Sequence, residues 1–271
     1  VTYNLAISFL TPHRIVAEKV KAKKKIAWIH TDYTRVWVDA EEELKVWQKY
    51  DYVASISGDV TNTFLQVFPS LAPKIVEIEN ILSPTFVRKR AELQNVDKEI
   101  RHEGTITLLS VGRFSDAKNY DNVPDICKRL INETKLNIKW YIIGYGGDEA
   151  LIRKKIKEAG MEEHVILLGK RSNPYPYIKA CDIYVQPSRY EGKSVTVREA
   201  QMLCKPFVVT NYPTAPSQIR SGIDGVIVPM DNEGCAHGLA EVICDKPLQE
   251  RIIAHLKTHD YGNESEVEKI Y

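Results

Sequence analysis

The segment 187–206 carries two glutamates with seven residues between them. Glu191 lies in a predicted loop after a short apolar strand, and Glu199 lies inside the helix predicted over 194–204. Free N–H groups and the positive end of the helix dipole make such a helix start attractive to anions. The flanking carboxylates can accept hydrogen bonds from hydroxyls. These residue types and this spacing predict a site for a phosphate with sugars on both sides, as in a sugar nucleotide.

Two cations form a second candidate group in the stretch 112–119, GRFSDAKN. Arg113 and Lys118 are five residues apart and follow a predicted strand, where the ligand crevice of a parallel sheet lies. A bidentate guanidinium and a point-charge ammonium could clamp a diphosphate between them. The alternative is a solvated loop whose arginine pairs with a nearby aspartate, and the residues alone leave both interpretations open.

Three interpretations of the glutamate pair also stay open. If both residues were helical, a rise of about 1.5 Å per residue would separate them by roughly 12 Å along the axis. That exceeds the roughly 5–9.5 Å between the acids of a glycoside hydrolase, although the loop residue could fold back. In the third interpretation, Glu199 is a solvated helix residue and Glu191 only complements the helix dipole.

Further candidates lie near the start of the chain. His30 ends a predicted strand and is either functional or a histidine whose ring is satisfied within the fold. Ser57 ends the next strand and suits a helix N-cap better than a site. A basic cluster lies on or after a predicted helix, where cations complement the dipole, and the alternative is contact with anionic membrane lipid. The cluster consists of Lys19, Lys21, Lys23, Lys24 and Lys25.

Composition excludes several classes of protein. The chain has 271 residues, 44% of them apolar and 27% charged, which is typical of a globular protein long enough for two domains. A net charge of +1 lacks the basic surplus of a general nucleic-acid binder. Five cysteines without a CxxC pair suit a reducing compartment, and no apolar run approaches the ~20 residues of a membrane span. We therefore expect a cytoplasmic protein without nucleic-acid partners.

Strands and helices alternate along residues 1–86. The predicted strands are 5–10, 25–30, 52–57 and 74–80, and the predicted helices are 14–24, 39–50 and 58–68. Asp39 precedes three glutamates, as a helix N-cap would. Nearly continuous apolar strands between helices indicate a parallel sheet covered on both faces.

Residues 87–103 break this alternation and are interpreted as an interdomain linker. Residues 104–271 resume it and form the second predicted domain. Its strands are predicted at 106–112, 139–144, 164–169, 182–187, 206–211 and 225–229, and its helices at 119–131, 148–159, 175–180, 194–204, 233–244 and 247–259. The predicted fold class is α/β, with two Rossmann-like, doubly wound parallel-sheet domains and a ligand crevice at the carboxyl ends of the strands.

The order and spacing of these motifs resemble those of the group 1, or family 4, glycosyltransferases. The matching stretches are GRFSDAKN (112–119), WYIIGYG (140–146), VILLGKRSN (165–173), the segment 182–211 around PSRYEGKS, and SGIDGVIVP (221–229). Upstream, SFL (8–10), IAWIHTDY (26–33) and ENILSP (79–84) are similar to the second half of that family's N-terminal domain. The resemblance covers most of the chain, and the Glu-x7-Glu segment is its most diagnostic part. It implies the GT-B fold and retaining transfer from a nucleotide-sugar donor.

The resemblance also implies roles for the charged residues. Arg113 and Lys118 would neutralise the donor diphosphate and stabilise the leaving nucleotide. Gly112, which precedes them, would also bind the donor. Glu199 would accept hydrogen bonds from the ribose hydroxyls. Glu191 would face the hydroxyls of the transferred sugar.

Further donor contacts are implied in the same way. The amides expected at the distal phosphate are those of Gly192, Lys193, Ser194 and Val195. The side chains expected near the base are those of Lys170, Arg171 and Asn173. His30 would lie near the donor sugar. The family often has glycine or phenylalanine where this chain has Lys193 and Ser194.

We therefore expect a glycosyltransferase that uses a UDP-sugar and a saccharide or lipid-linked saccharide acceptor, in cell-envelope or capsular polysaccharide synthesis. No Asp-x-Asp motif is present, so we expect neither a metal nor a cofactor. Two other classes stay open: a nucleotide-sugar epimerase of the same shape, and a non-catalytic donor-binding fragment. The family's Gly-rich loop and first βα units do not precede SFL here, so we expect a truncated first domain.

Overall fold

The computed structural model describes residues 1–9, 13–37 and 39–270. The chain forms two compact units. The first comprises Val1–Leu82 and Asn263–Tyr271, and the second comprises Ser83–Gly262. Each unit contains its own parallel sheet, so the predicted α/β organisation is confirmed.

The first unit is built on four parallel strands that lie side by side in chain order. The strands are β1 (Tyr3–Ser8), β2 (Ala22–Ile29), β3 (Tyr52–Ser55) and β4 (Ile75–Glu77), and the helices are α1 (Arg14–Lys19), α2 (Ala40–Trp47) and α3 (Gly58–Val67). Short 3-10 helices occupy Tyr33–Arg35, Pro69–Lys74 and Glu264–Ile270. Residue 10, at the end of the predicted first strand, lies outside the described residues.

Local capping starts two of these helices as predicted. The Asp39 carboxylate accepts a hydrogen bond from the amide of Glu42 (3.2 Å), and the Ser57 hydroxyl accepts one from the amide of Val60 (3.2 Å). The prediction of a helix over 14–24 was too long, because α1 ends at Lys19 and Val20 is already extended. Strand β2 starts at Ala22, and its last four residues are buried in the core.

Six parallel strands form the sheet of the second unit. They are β5 (Thr105–Val111), β6 (Asn137–Ile143), β7 (Val165–Gly169), β8 (Ile183–Gln186), β9 (Phe207–Thr210) and β10 (Val226–Val228). The helices are α4 (Pro84–Ala91), α5 (Asp97–Ile100), α6 (Val123–Thr134), α7 (Glu149–Ala159), α8 (Tyr175–Ala180), α9 (Val195–Met202), α10 (Ala215–Gln218), α11 (Asn232–Cys244) and α12 (Lys246–Lys257). Every predicted strand of this region is present, with ends shifted by at most two residues.

The strand order of the second unit is β10-β9-β8-β5-β6-β7. The chain therefore winds outward in one direction from β5 to β7 and then in the other from β8 to β10. Strands β5 and β8 are neighbours, with Leu108 opposite Ile183 and Leu109 opposite Tyr184. In open α/β sheets, ligands bind at the carboxyl ends of the two strands where the winding reverses. The loops after β5 and β8 are therefore where a site is expected.

A buried polar connection ties the central strands of this sheet together. The Trp140 indole N–H donates to the Ser110 hydroxyl (2.9 Å), and that hydroxyl donates to the carbonyl of Val185 (2.6 Å). All three residues are almost fully buried. Because an unpaired polar group would be costly here, the chain of bonds specifies how β5, β6 and β8 align.

The unit boundaries differ from the predicted domains 1–86, linker 87–103 and 104–271. The segment 87–103 contains part of α4 and all of α5 and belongs to the second unit. Its apolar residues Val87, Ala91, Val96 and Ile100 are at most 4% exposed, so the segment is packed into the second unit. The residues after 262, expected to close the second domain, belong to the first unit, where the Asn263 side chain accepts from the amide of Leu82 (2.8 Å). Within the described ranges, every helix is too short or too polar to span a bilayer.

Candidate functional site

Glycines allow the loops at the edge of the second sheet to approach each other closely. A Cβ atom added to Gly144, after β6, would lie 1.9 Å from the carbonyl oxygen of Gly112, after β5. A Cβ atom on Gly112 would in turn lie 2.7 Å from the Tyr120 hydroxyl. Gly144 is therefore required by backbone packing, whereas Gly112 is restricted by the side chain of Tyr120.

Lys118 and Glu191 meet across the point where the winding reverses. The Lys118 ammonium donates to Oε1 of Glu191 over 2.6 Å. The side chains are 19% and 11% exposed, so the ion pair is partly shielded from water. The predicted diphosphate cation and the predicted sugar-facing carboxylate thus lie together, although 73 residues separate them in the chain.

Polar groups of the β8 loop hold Glu191 from its other side. The Gln186 amide (2.9 Å) and the Ser188 hydroxyl (2.6 Å) both donate to the same Oε1. Ser188 is fully buried, and so is Gln186. Three donors therefore converge on one carboxylate oxygen, while Oε2 accepts no hydrogen bond from the residues that the structure describes. Gln186 and Ser188 were not predicted as site residues, although both are polar residues at a buried strand end.

Arg113 differs from Lys118 although they share a loop. Its side chain is exposed and forms no hydrogen bond or ion pair with any part of the chain that the structure describes. Arg113 therefore does not pair with any aspartate that the structure describes, which was the alternative interpretation of this residue. Arg113 remains available to a ligand at this edge.

The arginine that does pair with an aspartate is Arg189, which sequence reasoning also missed. Its guanidinium makes a bidentate pair with Asp121, at 2.9 and 2.8 Å. The Arg189 amide donates to the carbonyl of Ala117 (2.9 Å). These contacts fix the β8 loop to the β5 loop and so support the Lys118–Glu191 pair. The signal in the sequence was an arginine beside Ser188, with aspartates in the facing loop.

The start of α9 offers fewer amides than predicted. Ser194 occupies the N-cap position, but its hydroxyl caps nothing. Its amide donates to the Gln218 side chain (3.0 Å), and Gln218 donates back to the Ser194 carbonyl (2.7 Å). Val195 lies in the first turn, where an amide has no intrahelical acceptor. Gly192 and Lys193 lie in the preceding loop, and the phosphate contact of all four residues stays a prediction.

Glu199 lies in a different environment from Glu191. It is only 7% exposed, so the interpretation as a solvated helix residue is wrong. The Tyr175 hydroxyl donates to its Oε1 over 2.9 Å. Burial raises the pKa of Glu199 to about 7, and the hydrogen bond from Tyr175 opposes the increase. A buried carboxyl that titrates near neutrality at such an edge is a candidate functional group.

The side chains predicted near a base have partners within the second unit. Arg171 donates to Glu99 (2.7 Å) and to the Tyr177 hydroxyl (3.0 Å). The Asn173 amide donates to the carbonyl of Arg90 (2.9 Å). The Lys170 ammonium lies 5.0 Å from the centre of the Tyr145 ring. Contact of Lys170, Arg171 and Asn173 with a base stays a prediction.

His30 belongs to the first unit. It follows β2, and its ring lies 4.6 Å from the ring of Phe9. Burial lowers the pKa of His30, and its Nε2 is enclosed without a partner among the described residues. One ring nitrogen is therefore unpaired within the described part of the fold, while hydrogen bonds with the Asn80 side chain and the Trp28 backbone oppose the decrease in pKa. Its place near a donor sugar stays a prediction.

Strand β2 divides the lysine cluster. Lys19 ends α1, whereas three lysines lie within β2, where successive side chains point to opposite faces. The Lys25 ammonium donates to the carbonyl of Ala17 (2.7 Å), and the Lys24 ammonium lies 5.7 Å from the centre of the Tyr52 ring. Membrane contact through these residues stays a prediction, which liposome co-sedimentation of the five-alanine variant tests. The five are Lys19, Lys21, Lys23, Lys24 and Lys25.

A parallel sheet whose winding reverses, with a candidate ligand site at the reversal, places the second unit in the class of doubly wound α/β proteins. Comparison with known families specifies the class further. The model of the family described as glycosyl transferases group 1 matches residues 93–259. This match spans more than half of the chain, and the chain belongs to that family.

Two curated relatives illustrate the similarity. One is an N-acetylgalactosaminyltransferase of Campylobacter jejuni, named for a diphospho-undecaprenol-linked substrate, which is 27% identical over 79% of this chain. The other is the amylovoran biosynthesis glycosyltransferase AmsD of Erwinia amylovora, 26% identical over 72% of this chain. The matched regions cover 56% and 60% of these relatives' own lengths.

Solved structures show the same fold. A glycosyltransferase from Rickettsia africae has a TM-score of 0.75 at 16% identity, covering 98% of this chain and 75% of that one. The Anabaena protein HepE, solved with UDP-glucose, also has a TM-score of 0.75 at 16% identity, covering 91% of this chain and 72% of that one. The predicted GT-B fold is thereby confirmed.

Proposed function

We propose that this protein transfers a sugar from a UDP-sugar to a hydroxyl of a saccharide or lipid-linked saccharide, with retention of anomeric configuration, in the synthesis of an envelope polysaccharide. The observation that carries the proposal is the convergence of Lys118 and Glu191 at 2.6 Å where the winding of the second sheet reverses. Family membership favours transfer over the hydrolysis that a glutamate pair could also perform. The relatives' names, which include polysaccharide and lipid-linked substrates, support the acceptor class.

The two cations of the β5 loop would act on the diphosphate. Lys118 is held in place by Glu191 and would supply a fixed positive charge. Arg113 is exposed, and its planar guanidinium could approach the phosphates from solvent. Charge would develop on the leaving diphosphate as the glycosidic bond breaks, and preorganised cations stabilise such a charge. The protein would therefore place its cations where other transferases hold a metal.

The two carboxylates would bind opposite ends of the donor. Oε1 of Glu191 is fully engaged by its three donors, so Oε2 would accept from a hydroxyl of the transferred sugar. Glu199, buried in α9, would accept from the ribose. The amides at the start of α9 would lie between them, at the distal phosphate.

Calorimetric titration with UDP, GDP and ADP tests the donor assignment. We expect wild type to prefer UDP and Glu199→Ala to lose about tenfold or more in affinity, because the hydroxyls lose a charged acceptor. If wild type bound all three nucleotides equally and weakly, and Glu199→Ala bound them with the same affinity, the assignment of Glu199 would be refuted.

Labelled UDP-sugar with and without cell-envelope extract tests the reaction. Transfer of label to extract, unaffected by EDTA, supports a metal-independent transferase. Conversion of the free UDP-sugar into its epimer without extract would support the epimerase alternative. Tight binding with neither product would support a donor-binding fragment.

A further inference from the structure

Tyr175, the first residue of α8, forms a specific contact with Glu199. Its hydroxyl donates to Oε1 of the carboxylate over 2.9 Å. The Tyr175 ring meets the ring of Phe86 in α4 edge-on, with 6.3 Å between ring centroids. Among the residues that the structure describes, Tyr175 is the one that donates to the Glu199 side chain, while Oε2 receives no hydrogen bond.

Titratable and charged groups face this contact from two other elements, β8 and α4, and Arg198 is a charged neighbour on α9 itself. The Tyr184 hydroxyl of β8 lies near enough to sense the charge of Glu199, but it donates to Gln186 (2.6 Å). Arg90 of α4 lies near Tyr175 and counteracts the rise in the phenol's pKa that burial causes. Arg198, on α9 itself, lies over the ring of Tyr261. None of these three is hydrogen-bonded to Glu199 within the described residues, so the phenol of Tyr175 alone holds the carboxylate.

We propose that Tyr175 is a positioning residue for Glu199: its hydroxyl fixes Oε1 and leaves Oε2 for a ribose hydroxyl of the donor nucleotide. The inference rests on the proposed function and adds a residue to its donor site. A carboxylate held by one directional bond keeps a single orientation, which lowers the ordering cost when the nucleotide binds. Tyr175 lies between two prolines in the sequence, and nothing in the neighbouring residues indicates this partner.

The hydrogen bond also favours the ionised form of the carboxyl. Burial raises the pKa of Glu199 to about 7, and the phenol works against that increase. Removing the hydroxyl therefore raises the pKa further, so that less of the carboxyl is ionised at neutral pH. Because the ionised carboxylate is the stronger acceptor, the variant should lose affinity mainly near neutrality and recover it as the pH rises.

Tyr175→Phe tests this positioning role, since it removes one oxygen and keeps the ring. The measurement is calorimetric titration with UDP-glucose from about pH 6 to about pH 8.5, a range in which its diphosphate has no proton to lose. We expect affinity at neutral pH to fall about tenfold, with the pH midpoint of binding above that of wild type. Unchanged affinity and an unchanged midpoint would overturn the inference.

A double-mutant cycle shows whether Tyr175 acts through Glu199. We expect Tyr175→Phe/Glu199→Gln to bind UDP-glucose as weakly as Glu199→Gln alone, because the carboxylate transmits the effect of the phenol. Fully additive losses would contradict the proposal. Tyr141→Phe is the matched control: it removes another buried hydroxyl of the second unit, 3.1 Å from Nε2 of His102, and should change neither affinity nor midpoint.

A nucleotide-free measurement separates this inference from the proposed function. Carbon-13 NMR titration of the glutamate carboxyls gives the pKa of Glu199 directly, and Tyr175→Phe should raise it. If wild type binds nucleotide but the carboxyl pKa does not move, this inference alone is overturned. If wild type binds no nucleotide at all, the proposed function and this inference fail together.

Discussion

Glu191 and Glu199 are the same residue type, eight positions apart in the chain, and their surroundings differ completely. Glu191 lies in a loop, where an ammonium, an amide and a hydroxyl all donate to one of its oxygens. Glu199 lies inside a helix, 7% exposed, with a single phenol as donor. The first carboxylate is held by an ion pair and hydrogen bonds, whereas burial disfavours the ionised form of the second.

This difference in surroundings indicates that the two carboxylates have different roles. A carboxylate fixed by three donors can hold a sugar hydroxyl in one geometry while a neighbouring cation acts on the phosphate. A buried carboxyl with a raised pKa has a large unmet capacity to accept hydrogen bonds, which a ligand hydroxyl can satisfy. Substitutions at both glutamates and at the cations around Glu191 test whether the two acids differ in this way.

The largest effect is expected from Glu191→Gln. It removes the charge partner of Lys118 and weakens the contact with the transferred sugar, so we expect turnover to fall by about 10²–10³-fold. Donor affinity should fall much less, because the nucleotide half of the donor keeps its contacts. Turnover with labelled donor and acceptor extract, alongside calorimetric affinity, separates the two. Equal losses in turnover and affinity would mean that both acids simply bind the donor.

Lys118→Met and Arg113→Met should differ although both remove a cation from one loop. We expect each to lower turnover by about tenfold or more, since each loses an interaction with developing charge. Only Lys118→Met should also lower the melting temperature, because it leaves Glu191 without its ion pair. Arg113 is exposed without a described partner, so Arg113→Met is the matched control for stability. If Arg113→Met also lowered the melting temperature, Arg113 would stabilise this loop, contrary to its exposed position in the structure.

Glu199→Gln should weaken nucleotide binding yet stabilise the fold above neutral pH. The folded-state pKa is raised from 4.5 to about 7, so the stability that the protonated carboxyl contributes is complete below about pH 4.5 and is lost as the pH rises through about 7. At about 1.4 kcal/mol per pKa unit, the loss is about 3 kcal/mol at most.

Thermal unfolding between about pH 5 and about pH 8.5 measures this effect. The glutamine variant should lack the wild-type decline in stability over that range. Glu250→Gln, at an exposed position of α12, is the control and should retain the decline. If the stability of Glu199→Gln falls with rising pH as that of wild type does, burial does not raise the pKa of this carboxyl. The contrast with Glu191 is then lost.

The smallest effect is expected from Arg189→Lys. The charge is kept, but the bidentate pair with Asp121 becomes a single contact, so unfolding free energy should fall by about 1 kcal/mol. Turnover should fall modestly because the two loops align less well. Urea unfolding measures the stability change. Arg129→Lys, which affects an exposed pair with Asp125 within α6, should have a smaller effect.

Features that depend on neighbours in the chain could be predicted from the residues. Asp39 and Ser57 cap their helices because an N-cap contacts an amide three residues on. The strands were found because apolar runs between helical segments mark a buried parallel sheet. The interpretation of 87–103 as a linker missed the burial of Val96 and Ile100, because short helices that dock on a neighbour carry too few apolar residues to show a pattern.

The residues at the candidate site, and their order, could thus be read from the chain. Their contacts could not. Lys118 meets Glu191 only because the winding of the sheet reverses between β5 and β8, which brings together loops 73 residues apart. Glu199 acquires its raised pKa only because α9 packs it away from water beside Tyr175. Residue type sets which bonds and charges are possible, whereas burial and long-range pairing, which depend on the whole fold, decide which of them form.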